Sequence, residues 1–258
     1  MLNLSGRGAL VSGTRRVGAT VVKRLAREGV RIAITYRSSR AEAEALYQET
    51  KALTDRVVIL QADVSVEDDV KRLVEQAQAA LGDLSFLINM ASDYPRTPLE
   101  SLDSAQWEHA MAQAKGNYLL AAECARVMQA NEGPTRGHLV FFGDWAAGET
   151  PYLDYLPYLT AKASIQFMTR AFALELGASG ILVNAIAPGP TALGVGVSDQ
   201  EWEAAVDATP LMRESSPDDI AEMIATLLKL ETITGETIRI DSGRHLAGTA
   251  RLRRRRLR

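Results

Sequence analysis

The run Tyr158-Leu-Thr-Ala-Lys162 puts a phenol and an ammonium four residues apart, a spacing that sets both on one face of a helix. A free tyrosine titrates near about 10, too high to give up its proton easily at neutral pH. An ammonium beside it stabilises the phenolate and lowers that pKa, making the phenol a usable general acid or base. Such a pair also arises by chance, so its setting decides its meaning. It stands between Phe142-Gly-Asp144-Trp145 and Asn184-Ala-Ile-Ala-Pro-Gly189.

Two further clusters concern anions. The segment Ser12-Gly-Thr-Arg-Arg-Val-Gly-Ala19 follows an apolar run and opens a helical pattern, where a dinucleotide pyrophosphate meets backbone N–H groups and a helix dipole. With only Gly13 and Gly18, the loop also matches an ordinary strand-to-helix turn. The second strand ends in Tyr36-Arg-Ser-Ser39, without the acid that usually bonds the ribose hydroxyl of NAD. Arg37, flanked by Tyr36 and Ser38, suits a 2′-phosphate instead, and Arg15 or Arg16 adds positive charge. The predicted cofactor is NADPH.

The elements that must position these residues are legible as an alternation. Predicted strands are Arg7–Ser12, Arg31–Tyr36, Arg56–Ala62, Ser85–Asn89, His138–Phe142, Leu182–Ala187 and Thr237–Asp241. Several are almost wholly apolar, as parallel strands covered on both faces must be. Val17, Val21, Val22 and Leu25 line one helical face between the first two strands, and Gly29 ends that helix. Ser65 with Asp68, Ser198 with Glu201, and Ser216-Pro217 with Asp219 read as helix starts. The pattern predicts an α/β fold: a Rossmann-type, doubly wound parallel sheet in a single domain over residues 1–248. Ligands bind at the carboxyl ends of such strands, which selects Gly13 to Gly18, Arg37 to Ser39, Asp63, Asn89 to Tyr94, Asp144 and Pro188 to Thr191.

Composition bounds the function. Of 258 residues, 47% are hydrophobic and 24% charged, which suits a chain that buries a full core. No apolar run approaches the roughly 18 residues of a membrane span, and the first residues lack a basic flank with an apolar stretch, so the expected location is cytoplasmic. Cys124 is the sole cysteine, which excludes an internal disulfide and gives no metal cluster; it is expected to be helix packing. The net charge of −3 includes six arginines among the last eight residues, without which the remainder carries −9. Residues 249–258 are expected to be a solvated basic tail, the only segment through which nucleic acid would be touched.

The ordered set Gly13/Gly18, Asp63, Asn89-Met-Ala-Ser92, Asn117, Tyr158/Lys162 and Pro188-Gly189 resembles the short-chain dehydrogenase/reductase family over about residues 5 to 248. The resemblance implies that Tyr158 protonates the substrate, Lys162 binds the nicotinamide ribose and Asn117 holds a relay water. It implies that Asp63, with Val64 beside it, meets the adenine, that Asn89, Ala91 and Ser92 line the cofactor, and that Thr191 bonds the carboxamide. It also implies a homotetramer built on two long helices near residues 104–128 and 154–177.

The departures from that pattern are informative. Asp144 stands where most members keep a serine, and the glycine loop has an arginine near its middle and is one residue short. Both resemble the pteridine reductase branch. So do Tyr94, placed where that branch stacks a ring on the pterin, and Asp241-Ser-Gly-Arg-His-Leu246. Physically, a flat heteroaromatic fits between nicotinamide and a tyrosine face, and a carboxylate accepts from its amino and ring N–H groups. The expected substrate is a dihydropterin held by Arg16, Tyr94, Asp144 and Tyr158, with another imine or a carbonyl compound as the alternative. Catalysis is assigned to Tyr158, Lys162, Asp144 and Asn117. Trp145, Tyr152 and Tyr155 are expected as walls, and Pro190 to Arg213, with Gly194, Gly196 and a helix from Asp199, as a lid. The rival readings are a carbonyl or 3-oxoacyl reductase and a non-catalytic nucleotide sensor.

Overall fold

The computed structural model describes residues 1–191 and 197–247. Seven strands form one parallel sheet: β1 (Gly8–Ser12), β2 (Arg31–Tyr36), β3 (Val57–Gln61), β4 (Phe86–Asn89), β5 (Gly137–Phe142), β6 (Ile181–Pro188) and β7 (Thr237–Ile240). Their order is β3-β2-β1-β4-β5-β6-β7, so the chain reverses direction across the sheet between β1 and β4. Ser12 pairs with both Thr35 and Asn89, which brings the carboxyl ends of β2, β1 and β4 level at that switch point.

Burial explains the apolar runs. Every residue of β1, β4 and β5 is buried, whereas the edge strands β3 and β7 are only half-covered. One face packs under α1 (Val17–Arg27), α2 (Arg40–Thr50) and α7 (Pro217–Lys229), where Val21, Val22, Leu25, Ile220 and Ile224 join Val11, Ile32 and Ile88. The other packs under α3 (Glu67–Leu81), α4 (Ser104–Met128) and α5 (Leu156–Leu176), where Leu73, Leu120 and Ile165 meet Leu10, Leu87 and Phe141. These are the two layers of a doubly wound sheet. A helix α6 (Asp199–Asp207) and a single turn α8 (Arg244–Ala247) complete the described chain.

Most helix signals hold. Gly29, at φ 78°, follows α1, Ser198 and Glu201 form a capping box on α6, and Ser216 accepts from Asp218 and Asp219 with Pro217 in the first turn of α7. The start expected at Ser65 does not. Val66 caps α3, because Asp63 takes both the backbone N–H and the hydroxyl of Ser65, at 3.0 and 2.7 Å. The basic tail, Gly194 and Gly196 lie outside the described residues; the helix expected from Asp199 is α6.

Candidate active site

The switch point opens into a cleft of about 950 Å³ along the carboxyl ends of the strands. At its floor the backbones of two loops almost touch. A Cβ on Gly13, which has φ 77°, would lie 2.3 Å from the carbonyl carbon of Met90, and one on Gly18 would lie 2.1 Å from the oxygen of Gly13. Neither position admits a side chain, and the bare backbone there leads into the N-terminus of α1. Arg16 caps that helix at φ 51°, a left-handed conformation that usually falls to glycine. The shortened loop therefore keeps its bend and carries a guanidinium at it.

Of the residues singled out from sequence, Gly13, Arg16, Gly18, Tyr36, Arg37, Ser38, Asp63 and Val64 line one part of the cleft. Ala91, Ser92, Tyr94, Asp144, Tyr158, Lys162, Pro188, Gly189 and Thr191 line the rest. Asn89 and Asn117 lie behind the wall, both buried. Asn117 donates to the Gln113 carbonyl at 2.9 Å, yet its Oδ1 has no hydrogen-bond partner among the described residues, nor has the Asn89 Nδ2. Two buried polar atoms without partners beside a cleft mark places where a ligand or water completes the bonding.

Tyr158 and Lys162 share the buried face of α5, as their spacing predicts. At the end of β5 the Asp144 Oδ2 accepts from the Tyr158 hydroxyl at 3.0 Å and from the Tyr152 hydroxyl at 3.3 Å, while Oδ1 accepts from the Ala146 N–H at 2.8 Å. The Lys162 Nζ donates to the Phe142 carbonyl at 2.8 Å and lies 5.7 Å from the Tyr158 ring centroid. This geometry corrects one expectation. The Tyr158 pKa is raised rather than lowered, first by burial and then by the negative charge of Asp144. Burial also raises the pKa of Asp144 and lowers that of Lys162 to about 8, with Asp144 opposing the latter shift.

Aromatic rings form one wall. Tyr94 stacks on Tyr155 at 4.2 Å and meets Tyr158 edge-on at 4.9 Å, and Trp145 stacks on Tyr152 at 5.8 Å. One face of Tyr94 is thus covered by Tyr155. A backbone bond from Thr97 to the Asp154 carbonyl, 2.6 Å, ties the two ring-bearing loops together.

A family model described as Enoyl-(Acyl carrier protein) reductase matches residues 11–245, nearly the whole of this fold and every residue of the site. The chain is a short-chain dehydrogenase/reductase. Among curated relatives, the 3-oxoacyl-(acyl-carrier-protein) reductase FabG of Staphylococcus aureus is 28% identical over 246 residues, covering 93% of this chain and 98% of its own. A solved short-chain dehydrogenase/reductase from Serratia marcescens aligns with a TM-score of 0.87 at 27% identity, over 95% of this chain and all of that one. FolM alternative dihydrofolate reductase 1 from Brucella canis, complexed with NADP, aligns with a TM-score of 0.84 at 29% identity, over 95% and 96% of the two chains.

This dehydrogenase/reductase also has cleft residues that sequence reasoning passed over. His109 and Gln113 precede Asn117 by two turns and one turn on α4, and both hold Asp93 at the cleft wall, His109 through a 2.5 Å contact. Their spacing at i, i+4 and i+8 was the available signal. Trp202, within the segment expected as a lid, and Arg244, within the Asp241–Leu246 motif, line the cleft as well.

Proposed function

We propose that this enzyme uses NADPH to reduce the C=N bond of a dihydropterin. The residues present fit the cofactor: the side-chain-free backbone at Gly13 and Gly18 leads to the α1 N-terminus, and Arg37 is exposed at the end of β2. In this reading Gly13, Arg16 and Gly18 hold the pyrophosphate, Tyr36, Arg37 and Ser38 hold the 2′-phosphate, and Asp63 with Val64 meets the adenine. Asn89, Ala91, Ser92 and Lys162 receive the nicotinamide riboside, and Pro188, Gly189 and Thr191 its carboxamide. Bound NADPH supplies the hydride that reaches the carbon of the C=N bond.

The protein's own part is the proton and the orientation. Burial and Asp144 keep the Tyr158 hydroxyl protonated, so it enters the reaction as an acid and delivers its proton to the pterin nitrogen. The Lys162 ammonium offsets the charge left on the phenolic oxygen. Asp144 accepts from the amino and ring N–H groups of the pterin, while Tyr94 and the rings behind it flank its plane.

The observation that carries this reading is the buried Asp144 carboxylate hydrogen-bonded to Tyr158 at the end of β5. An ionised carboxylate cannot donate to a carbonyl oxygen, which argues against the ketone reduction named for the FabG relative. Burial raises the Asp144 pKa and so narrows that objection, which makes ketones the necessary comparison. The test is NADPH consumption against dihydrobiopterin, dihydrofolate, a quinonoid dihydropterin and simple ketones. Turnover of pterins supports the proposal; turnover of ketones alone contradicts it. A homotetramer belongs to the same proposal, supported by apolar Tyr118, Phe167 and Leu174 exposed on α4 and α5.

A further inference from the structure

Tyr94 stands on the irregular segment between β4 and the helical turn Leu99–Ser101, and side chains fasten that segment on both sides of the ring. On one side, α4 takes the residue before it. The two carboxylate oxygens of Asp93 are divided between residues one helical turn apart, Oδ2 meeting the His109 Nε2 at 2.5 Å and Oδ1 accepting from the Gln113 side chain. The Ser92 hydroxyl adds a bond to the Gln113 Oε1 at 2.9 Å. On the other side, Asp154 takes the two residues after Pro95: its carboxylate accepts from Arg96 at 3.0 and 2.6 Å, and its carbonyl from the Thr97 N–H at 2.6 Å. Asp154 has φ 69°, a left-handed conformation whose cost its surroundings must offset. Exposed by 43%, the Tyr94 ring is not locked by a core, and it keeps its stack on Tyr155 and its edge on Tyr158 between these two fastenings.

We propose that His109 is a positioning residue for the acceptor substrate: through Asp93 it fixes the segment that presents the Tyr94 ring before the acceptor arrives. His109 and Asp93 are both solvent-exposed, and an exposed pair does little for the stability of a whole domain, because solvent screens it and two side chains must be ordered to make it. Its consequence is local. A ring already held in place loses less freedom when a flat acceptor is laid against it, so the clamp is read in acceptor affinity and not in the chemical step. The proposal rests on Tyr94 flanking the plane of the acceptor, as in the reading above, and not on that acceptor being a pterin.

The experiment uses full-length enzyme at saturating NADPH with two flat acceptors, dihydrobiopterin and the ring ketone isatin. In His109→Ala the KM for the acceptor rises about 5-fold, while kcat and the KM for NADPH stay within about 2-fold of wild type. His109→Gln, whose amide still donates to Asp93, recovers most of that loss. In a Tyr94→Ala background, His109→Ala has no further effect, because the ring it positions is gone. A merely structural role for His109 would add its cost in both backgrounds. Where isatin alone turns over, the pterin reading fails and the clamp is still read on isatin. Where neither turns over, equilibrium dialysis of biopterin and isatin against the NADP+-loaded protein reads the same changes as Kd. An unchanged acceptor KM or Kd in His109→Ala, an equal loss in the Tyr94→Ala background, or a wild type that binds neither compound overturns the proposal.

Discussion

Tyr158 donates a 3.0 Å hydrogen bond to the carboxylate of Asp144, and both side chains are buried. A phenol in that position is held protonated by its surroundings, and the carboxylate is held in place by the phenol. In the proposed mechanism this pair gives a proton to a bound acceptor, with Lys162 one helical turn on to balance the charge that remains.

Tyr158→Phe removes the proton and keeps the ring. Turnover of whichever acceptor the enzyme reduces is expected to fall by at least about 100-fold, the usual scale of general acid catalysis. Binding of NADPH, followed by its fluorescence, should change little. Near-normal turnover would take Tyr158 out of the mechanism.

The pH dependence follows from Lys162, whose pKa is lowered to about 8 by burial against the opposing pull of Asp144. In Asp144→Asn that pull is gone, so the lysine loses its proton at lower pH. The alkaline limb of kcat/KM should then shift downward relative to wild type under identical conditions. Stability moves the other way with pH. Between about 8 and the ordinary 10.5 the unfolded chain binds more protons at Lys162 than the folded one, so folding gains stability as pH rises through that window, and the burial cost is fully present below it. An alkaline limb that stays put or moves upward in Asp144→Asn contradicts the assignment.

Much of this architecture could be read without coordinates, for physical reasons that also explain the failures. β1, β4 and β5 are buried on both faces, so their composition had to be apolar, and the alternation with helices followed. Tyr158 and Lys162 meet through helical spacing alone. The Tyr158 pKa was misread because its sign depends on Asp144, which reaches it across 14 positions of chain, while Lys162 spends a hydrogen bond on Phe142. The Asp93, His109 and Gln113 cluster was missed because it joins a loop to a helix. Ser65 misled because Asp63, two residues before it, competes for its hydroxyl.

Cofactor preference should rest on Arg37, exposed at the end of β2 where no acid stands. Arg37→Ala is expected to weaken NADPH binding by about 1 to 3 kcal/mol if a charge-assisted bond to the 2′-phosphate is lost. NADH should be nearly unaffected. Titrating both cofactors against both proteins checks this, and equal losses would contradict it.

Asn184 supplies a stability test away from the chemistry. Buried on β6, its Nδ2 donates to the Ile233 carbonyl at 2.8 Å and its Oδ1 accepts from the Glu236 N–H at 3.1 Å, fastening the loop before β7. Asn184→Ala leaves both backbone groups short of a partner and should cost about 2 kcal/mol. Urea denaturation should show a lower midpoint at unchanged slope. An unaltered midpoint would show that these bonds are replaced without loss.

The central claim is that Asp144 makes this site a pterin site. It is tested most directly by kcat/KM for a dihydropterin and for a ketone, measured with NADPH in wild type and in Asp144→Ser. Wild type is predicted to favour the dihydropterin, and the substitution to depress that activity roughly 5-fold to 150-fold, the equivalent of about 1 to 3 kcal/mol for a pterin donor left without its acceptor. A wild-type enzyme that reduces ketones and no pterin, or an Asp144→Ser variant fully active on pterins, would contradict it.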